Sequence, residues 1–387
     1  MKGTIYKGNA VCFKDEKTGA EVKRLTDNTG DSYHPYFTQQ LIGLDNKTVL
    51  ALSNRTGSQQ LFTLDLDNGD MLQLTDIATN ERIGQPVLDI TNNVAYFFVG
   101  RTLTRVRIGD LETEELMELP TGFHLTDLSI TNKGDYLAFT YAENLQCITQ
   151  SGVIYSNMRE TLFRRPSSVV VRYDTVQKKP YVVWGEREWI SHTNISPVDP
   201  DLILFCHEGS WHLVQRMWMA KVSTDEVWPL VEQKRLTERV GHEFFTASGR
   251  IATQYTYRNS VNEEWFFKAD IFLNPDGTDE KRYYYPYPAG PNHFQMNYAE
   301  DMGVGDGACV ERGMKDVHNY ISLLKYEGNR VIVGLLCKHG SSWLQQHNHP
   351  HPIFTRDDKH VVFSTDMGGV NNVYIAEADW DKCLKSE

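Results

Sequence analysis

The feature that most constrains this chain is an internal repeat: a β-rich run, a turn of Asp, Asn or Gly type, and a second β-rich run. It stands at Leu61–Thr75 and returns at Thr104–Thr113, Val169–Thr175, Trp218–Asp225, Phe266–Phe272 and Tyr320–Asn329. A seventh copy opens at Asn372–Ala378, but the sequence ends before a good partner strand. At the other end Glu21–Thr26 matches the second half of the first hairpin, Met71–Thr75. Pairing the N-terminal strand with the last C-terminal strands gives both orphans a partner. The expected fold is therefore all-β, a seven-bladed β-propeller whose ring is closed in this way, with one domain spanning 1–387.

A second repeat tests the count. His34, His192, His242, His293 and His351 are each followed four residues later by Thr, Ser or Asn. Their spacings are 158, 50, 51 and 58 residues, and the long gap is three steps of about 53. Two weaker copies fall in that gap, around Gln85-Pro-Val-Leu and His124-Leu-Thr-Asp, so seven blade starts are expected. One insertion, Ala142 to Arg165, lengthens the third blade, and Ser156–Phe163 within it reads as a short helix. Gly303-Val-Gly-Asp-Gly307 resembles a phosphate loop, but no helix-forming run follows it. It reads as tight strand and turn geometry.

In a propeller the first strand of each blade lines the central channel, so residues in register at its start converge on the axis. Five histidines there form a ring able to bind a metal or exchange protons near neutral pH. The densest cluster is Gln345-Gln-His-Asn-His-Pro-His351. His349 and His351 are two apart, which on an extended strand places both rings on one face as a bidentate clip stiffened by Pro350. His293 begins the adjacent blade and is a candidate third ligand. The run Cys206–Trp218 holds His207, Glu208 and His212, but not at His-Glu-x-x-His spacing on a helix, so a zinc-protease reading fails. Arg216 in the same run has the planar fork that holds anions. No Gly-x-Ser-x-Gly elbow occurs, which disfavours a propeller-bearing peptidase.

Composition removes several classes of function. The 387 residues carry 39 basic and 51 acidic side chains, net −12, without a Lys/Arg-rich tract, which argues against nucleic acid as a partner. No apolar run reaches the ~20 residues a membrane span needs, and the first residues read as no signal peptide. Six cysteines lie far apart with no Cys-x-x-Cys pair, the pattern of reduced thiols in a cytoplasmic protein.

The segments Cys206-His-Glu-Gly with Arg216-Met-Trp, Gly241-His-Glu-Phe-Phe, His293 with Val304-Gly-Asp-Gly, and Gln346-His-Asn-His-Pro-His with Phe354-Thr-Arg-Asp resemble the oligogalacturonate lyase family. These are cytoplasmic seven-bladed propellers of polysaccharide lyase family 22. The likeness is strongest from about residue 200 onward, whereas the first half matches mainly in blade pattern. The resemblance implies manganese held by His293, Gln346, His349 and His351. It also implies His242 as the catalytic base, Arg216 as a substrate-binding or transition-state residue, and di- and trigalacturonate as substrates. His207, His192 and His34 are the candidate substrate contacts.

That chemistry suits the residues. β-Elimination removes the C5 proton of a uronate, which is weakly acidic beside an anionic carboxylate. A divalent cation on that carboxylate favours the developing enediolate, and a neutral imidazole near pKa ~6.5 is a suitable base. By ligand type alone, three imidazoles and an amide oxygen suit zinc as well as manganese. Two other uses of the same blades stay open: a lyase for a different uronate oligosaccharide, and a non-catalytic TolB-like propeller binding a protein or glycan. A glycoside hydrolase ranks last. It needs two carboxyls flanking the scissile bond, and the blade starts offer only Glu243 and Asp127.

Overall fold

A computed structural model of the chain describes residues 1–149, 156–210, 213–260, 262, 267–286, 290–307 and 319–385. His212, singled out above, lies outside the described residues. So does the first half of the run Phe266-Phe, and so does the centre of the Ala142–Arg165 insertion. The described residues form antiparallel sheets laid down one after another along the sequence.

The first sheet carries Ser32–Tyr33, Thr48–Ser53, Gln60–Asp65 and Met71–Gln73, with Ile5–Tyr6 added at its edge. The second runs Ile83–Asp89, Val94–Val99, Thr102–Arg107 and Thr113–Glu118. The third runs Phe123–Ile130, Tyr136–Glu143, Ser168–Asp174 and Lys179–Glu186. The fourth runs Ile190–Ile195, Leu202–His207, Met217–Lys221 and Glu226–Leu230. A nine-stranded sheet follows. Glu238–Phe245, Ile251–Tyr257, Phe267–Leu273 and Lys281–Tyr284 meet a second meander at a single parallel pair, Tyr284 with Arg330. The last sheet holds Ile353–Phe354, His360–Thr365 and Asn372–Glu377, onto which Glu21–Arg24 and then Val11–Lys14 pair. Val22 faces Ala376 and Arg24 faces Tyr374 in that junction.

Burial follows position within each sheet. Second strands such as Val94-Ala-Tyr-Phe-Phe-Val and Leu202-Ile-Leu-Phe-Cys-His are buried nearly throughout, because both faces pack on neighbouring sheets. They read as continuous apolar runs rather than alternating ones. Outer strands such as Lys179–Glu186 and Val11–Lys14 are largely exposed.

The apolar core is correspondingly divided into clusters between consecutive sheets. Phe98 and Leu103 pack with Phe139 and Tyr173; Val170 and Ala138 pack with Ile190 and Phe205; Met217 and Met219 pack with Ile251 and Ile271. At the chain's two ends Val22 and Tyr374 pack with Ile321 and Leu336. First strands also touch their neighbours: Phe123–Ile130 packs on both Ile83–Asp89 and Ile190–Ile195, and Ile190–Ile195 packs on Glu238–Phe245. The sheets are thus propeller-like, with first strands side by side around a common interior.

The Ala142–Arg165 insertion links the second and third strands of the third sheet. Its helix spans Met158–Arg164, two residues later than the sequence suggests at its start and one at its end. No described helix is long and apolar enough to cross a membrane.

Candidate active site

Four of the first strands share a local defect that aims side chains inward. Their pairing with the second strands slips between Gly84 and Val87, Leu125 and Asp127, Ser191 and Asn194, and Gly241 and Phe244. At these bulges Gln85, His192 and His242 adopt positive φ, at 48°, 54° and 56°. His351, ahead of Ile353–Phe354, has φ 45°. A left-handed backbone costs a non-glycine residue about 1–2 kcal/mol, so packing and hydrogen bonding hold each of these residues in place. A bulge frees the residue from ladder alternation and turns its side chain toward the interior. There Gln85, Asp127, His192, Glu208, Arg216, His242, Gln346 and His351 line one cavity of about 410 Å³.

Three imidazoles converge at one side, where His351 reaches the cavity. His293, His349 and His351 are all buried, and each offers one ligand nitrogen within 4.8 Å of the others. Their ring centroids lie 4.3 Å (His293 to His351), 5.4 Å (His293 to His349) and 5.6 Å (His349 to His351) apart. The His293 Nδ1–H donates to Asp306 Oδ2 at 2.6 Å, and its backbone N–H donates to Asp306 Oδ1 at 2.7 Å. That fixes the tautomer and leaves the Nε2 lone pair free, the arrangement by which carboxylates orient metal-binding histidines.

Burial lowers the pKa of His293 to about 3 and that of His349 to about 4, and pushes His351 well below the usual imidazole value. Neighbouring positive groups add to each shift. All three are therefore neutral donors. His349 Nδ1 and His351 Nε2 are buried without a hydrogen-bond partner. Orphaned polar atoms inside a ring of neutral imidazoles fit a divalent transition ion. The clip does not form as the sequence spacing suggests. His351 is left-handed and the strand starts only at Ile353, so a kinked backbone rather than strand alternation brings the two rings together. Gln346 lines the cavity from the exposed start of the 3-10 turn Gln346–Asn348.

The opposite chemistry occupies a second wall. Arg216, 2% exposed, donates from Nε to Glu243 Oε2 at 3.0 Å and from Nη1 to Glu208 Oε1 at 3.0 Å. Burial opposes these charges, but the partners overrule it: Arg216 holds Glu208 ionised with a pKa of about 2, and Glu243 also lies below the usual carboxylate range. His192 stands beside them, Nε2 3.8 Å from Glu208 Oε2 and Nδ1 3.7 Å from Glu243 Oε1. Its backbone N–H donates to Asp127 Oδ2 at 2.6 Å. Burial raises the Asp127 carboxyl, against the pull of His192.

His242 sits between the walls, its ring 4.6 Å from that of His293. Gln254 Nε2 donates to the Pro291 carbonyl at 2.7 Å, which turns Gln254 Oε1 toward His242 Nδ1 at 3.1 Å. The amide so oriented accepts from Nδ1–H and leaves the Nε2 lone pair of His242 as the basic site. Burial, with His293 and His192 nearby, holds the His242 pKa well below the ordinary imidazole value, so the ring is neutral.

The structure gathers most of the residues that the sequence singles out, but not all. His207 is not on the cavity. Its Nε2 is 2.7 Å from Glu186 Oε1 and its ring packs 5.0 Å from Trp218. His34 lines the cavity, but not as a blade-start residue, because its strand ends at Tyr33. Residues 34–40 instead form a loop that carries Tyr36 and Phe37 under the histidines. Phe37 lies 5.4 Å from the His293 ring and Tyr36 lies 4.9 Å from the His351 ring. Gln39, on the same loop, bonds Gln85 at 2.7 Å.

In the third sheet the cavity residue is Asp127 and His124 is exposed. Asp127 is followed four residues on by Thr131, the same spacing as the histidines, and that signal is present in the sequence. Asp306 falls in the segment read there as turn geometry; the turn is real, but its carboxylate also orients His293. Met158 of the insertion helix lines the cavity too, and no sequence pattern placed it there.

Comparison with known proteins places this geometry. A family model described as oligogalacturonate lyase matches residues 2–380. The oligogalacturonate lyase of Dickeya dadantii (strain 3937) is 25% identical over 392 residues, covering 94% of this chain and 95% of that protein. The oligogalacturonide lyase of Pectobacterium atrosepticum is 24% identical over 405 residues, covering 96% and 98%. A solved oligogalacturonate lyase in complex with manganese shares the fold with a TM-score of 0.87 at 23% identity, covering 98% of this chain and 99% of that one. With a family model matched along almost its whole length, the chain belongs to the oligogalacturonate lyase family.

Proposed function

We propose that this chain cleaves short oligogalacturonides, chiefly di- and trigalacturonate, by β-elimination to 4,5-unsaturated uronates, in the cytoplasm. The observation that carries the reading is a trio of neutral buried imidazoles, whose His351 reaches the cavity, beside a fourth cavity imidazole, His242, oriented by Gln254. His293, His349, His351 and Gln346 would hold a divalent cation, manganese by analogy with the solved relative's complex. Bound there, the ion supplies Lewis acidity to a uronate carboxylate.

The chain's own residues do the rest. His242 Nε2 takes the C5 proton. Asp306 keeps the His293 lone pair directed inward. Arg216 keeps N–H groups beyond those given to Glu208 and Glu243, and these face the substrate. Because two carboxylates already offset it, Arg216 positions the sugar more than it attracts anionic chains. Tyr36 lines the cavity against the His351 ring, with buried Phe37 behind it, and limits water beneath the reacting ring.

We also infer that the nine-stranded sheet is two blades in contact at the single pair Tyr284 with Arg330. Seven blades in one domain would then close where Glu21–Arg24 joins Asn372–Glu377. Free buried thiols at Cys206, Cys337 and Cys383 support a cytoplasmic location.

The test is an assay on digalacturonate and trigalacturonate that follows ultraviolet absorbance of the unsaturated product, on protein as purified, after chelation, and after manganese or zinc is restored. Absorbance that disappears with chelation and returns with one metal is the expected result. Absence of product with either substrate and either metal would refute the assignment.

A further inference from the structure

β-Elimination needs a proton donor as well as a base. A galacturonide carries H5 and O4 on opposite faces of its ring, so the imidazole that takes the C5 proton cannot also serve the departing oxygen. We propose that His192 is the general acid that protonates O4 as the C4–O4 bond breaks; this rests on the lyase reading above.

The cavity's other histidines are committed elsewhere. His34 Nδ1 is bound to the Pro35 carbonyl, His242 Nδ1 to Gln254, His347 stacks on Tyr33, and His351 belongs to the metal trio. Among the described residues, His192 is the cavity-lining histidine that faces carboxylates: Glu243 at 3.7 Å and Glu208 at 3.8 Å. Those separations are too long for hydrogen bonds but set two carboxylates in the electrostatic balance around the ring. Every charged group packed against it enters that balance. Asp127 comes from Phe123–Ile130, Glu208 follows Leu202–His207, Arg216 precedes Met217–Lys221, and Glu243 and the neutral His242 lie on Glu238–Phe245. Three carboxylates against one guanidinium leave the surroundings negative.

The donor is also held in place. Its backbone is fixed in a left-handed bulge by Asp127, its ring stands edge-on to Tyr36 at 5.7 Å, and Nδ1 has no hydrogen-bond partner. In the step, the C5–H electron pair becomes the C4=C5 π bond and the proton passes to His242. The C4–O4 pair leaves with O4, which takes the His192 proton. His242 ends charged and His192 neutral, and exchange with solvent restores both.

The experiment compares His192→Ala and His192→Gln with His242→Ala on two substrates, digalacturonate and a methyl 4-deoxy-4-fluorogalacturonide, whose fluoride leaves without a proton. The expected result for both His192 variants is a kcat on digalacturonate lowered by ~10²–10⁴-fold. In both variants, metal content and thermal midpoint should stay as in wild type. On the fluoride substrate they should keep near-wild-type rates, whereas His242→Ala slows both reactions. Equal losses on the two substrates would mean that His192 only positions the sugar, and would overturn the assignment, as would unchanged turnover of digalacturonate. A wild-type protein inactive on both substrates would instead sink the lyase reading itself.

Discussion

The two walls of the cavity are buried to similar depth yet carry opposite electrostatics. On the trio wall, burial and neighbouring positive groups outweigh the one nearby carboxylate, Asp306, and neutralise His293, His349 and His351. On the other, burial beside Arg216 leaves Glu208 and Glu243 ionised. Neighbours, rather than depth, decide the charge state of a buried group. The division suits the chemistry: a transition ion binds lone pairs, which protonated rings lack, whereas a fixed guanidinium needs carboxylates around it.

Substitutions should separate the walls. The largest effect falls between them: His242→Ala is expected to lower kcat by ~10²–10⁴-fold with metal content unchanged, measured by the absorbance assay and elemental analysis. Removing a carboxylate from the charged wall should cost folding stability instead. Glu243→Ala leaves Arg216 with one partner, and urea unfolding should show a loss of about 3–5 kcal/mol. Asp306→Asn acts on the trio wall alone. It should weaken manganese affinity by ~10–100-fold in a calorimetric titration, through the orientation of His293.

The smallest expected effect lies outside the cavity and tests the same rule. Asp270 is fully buried, accepts hydrogen bonds from the Tyr285 and Tyr326 hydroxyls, and has no ion-pair partner among the described residues; burial raises its pKa to about 7. Its protonated form is favoured by folding, so stability is lost as pH rises from 3.8 through about 7. Asp270→Asn keeps an acceptor oxygen without that dependence, and should gain a few degrees in thermal midpoint on wild type at pH 8 but not at pH 4. Glu208 has the reverse sign. Its stabilisation is full above 4.5 and is lost as pH falls through about 2.

What the sequence revealed was what repeats. Hairpin spacing located the sheets, and the histidine-to-Thr, Ser or Asn step located His192, His242, His293 and His351, because each precedes the same turn into a second strand. The same step misled at His34, where a loop inserted after Tyr33 happens to match the spacing. In the third sheet Asp127, not the more conspicuous His124, keeps the step. Interactions between distant segments left no local pattern. Nothing near Arg216 announces that Glu243, on another sheet, neutralises it, nor near His293 that Asp306 sets its tautomer. His207 shows the converse: a histidine in a family-like motif that a hydrogen bond with Glu186 holds away from the cavity.

The measurement that tests the account most directly is manganese content per chain in wild type and in His349→Ala, by elemental analysis after equilibration with the metal, alongside thermal unfolding of the metal-free proteins. The account predicts one manganese per wild-type chain, none in His349→Ala, and similar unfolding of the two metal-free forms. Full occupancy in His349→Ala would contradict it and place the metal, and with it the chemistry, elsewhere.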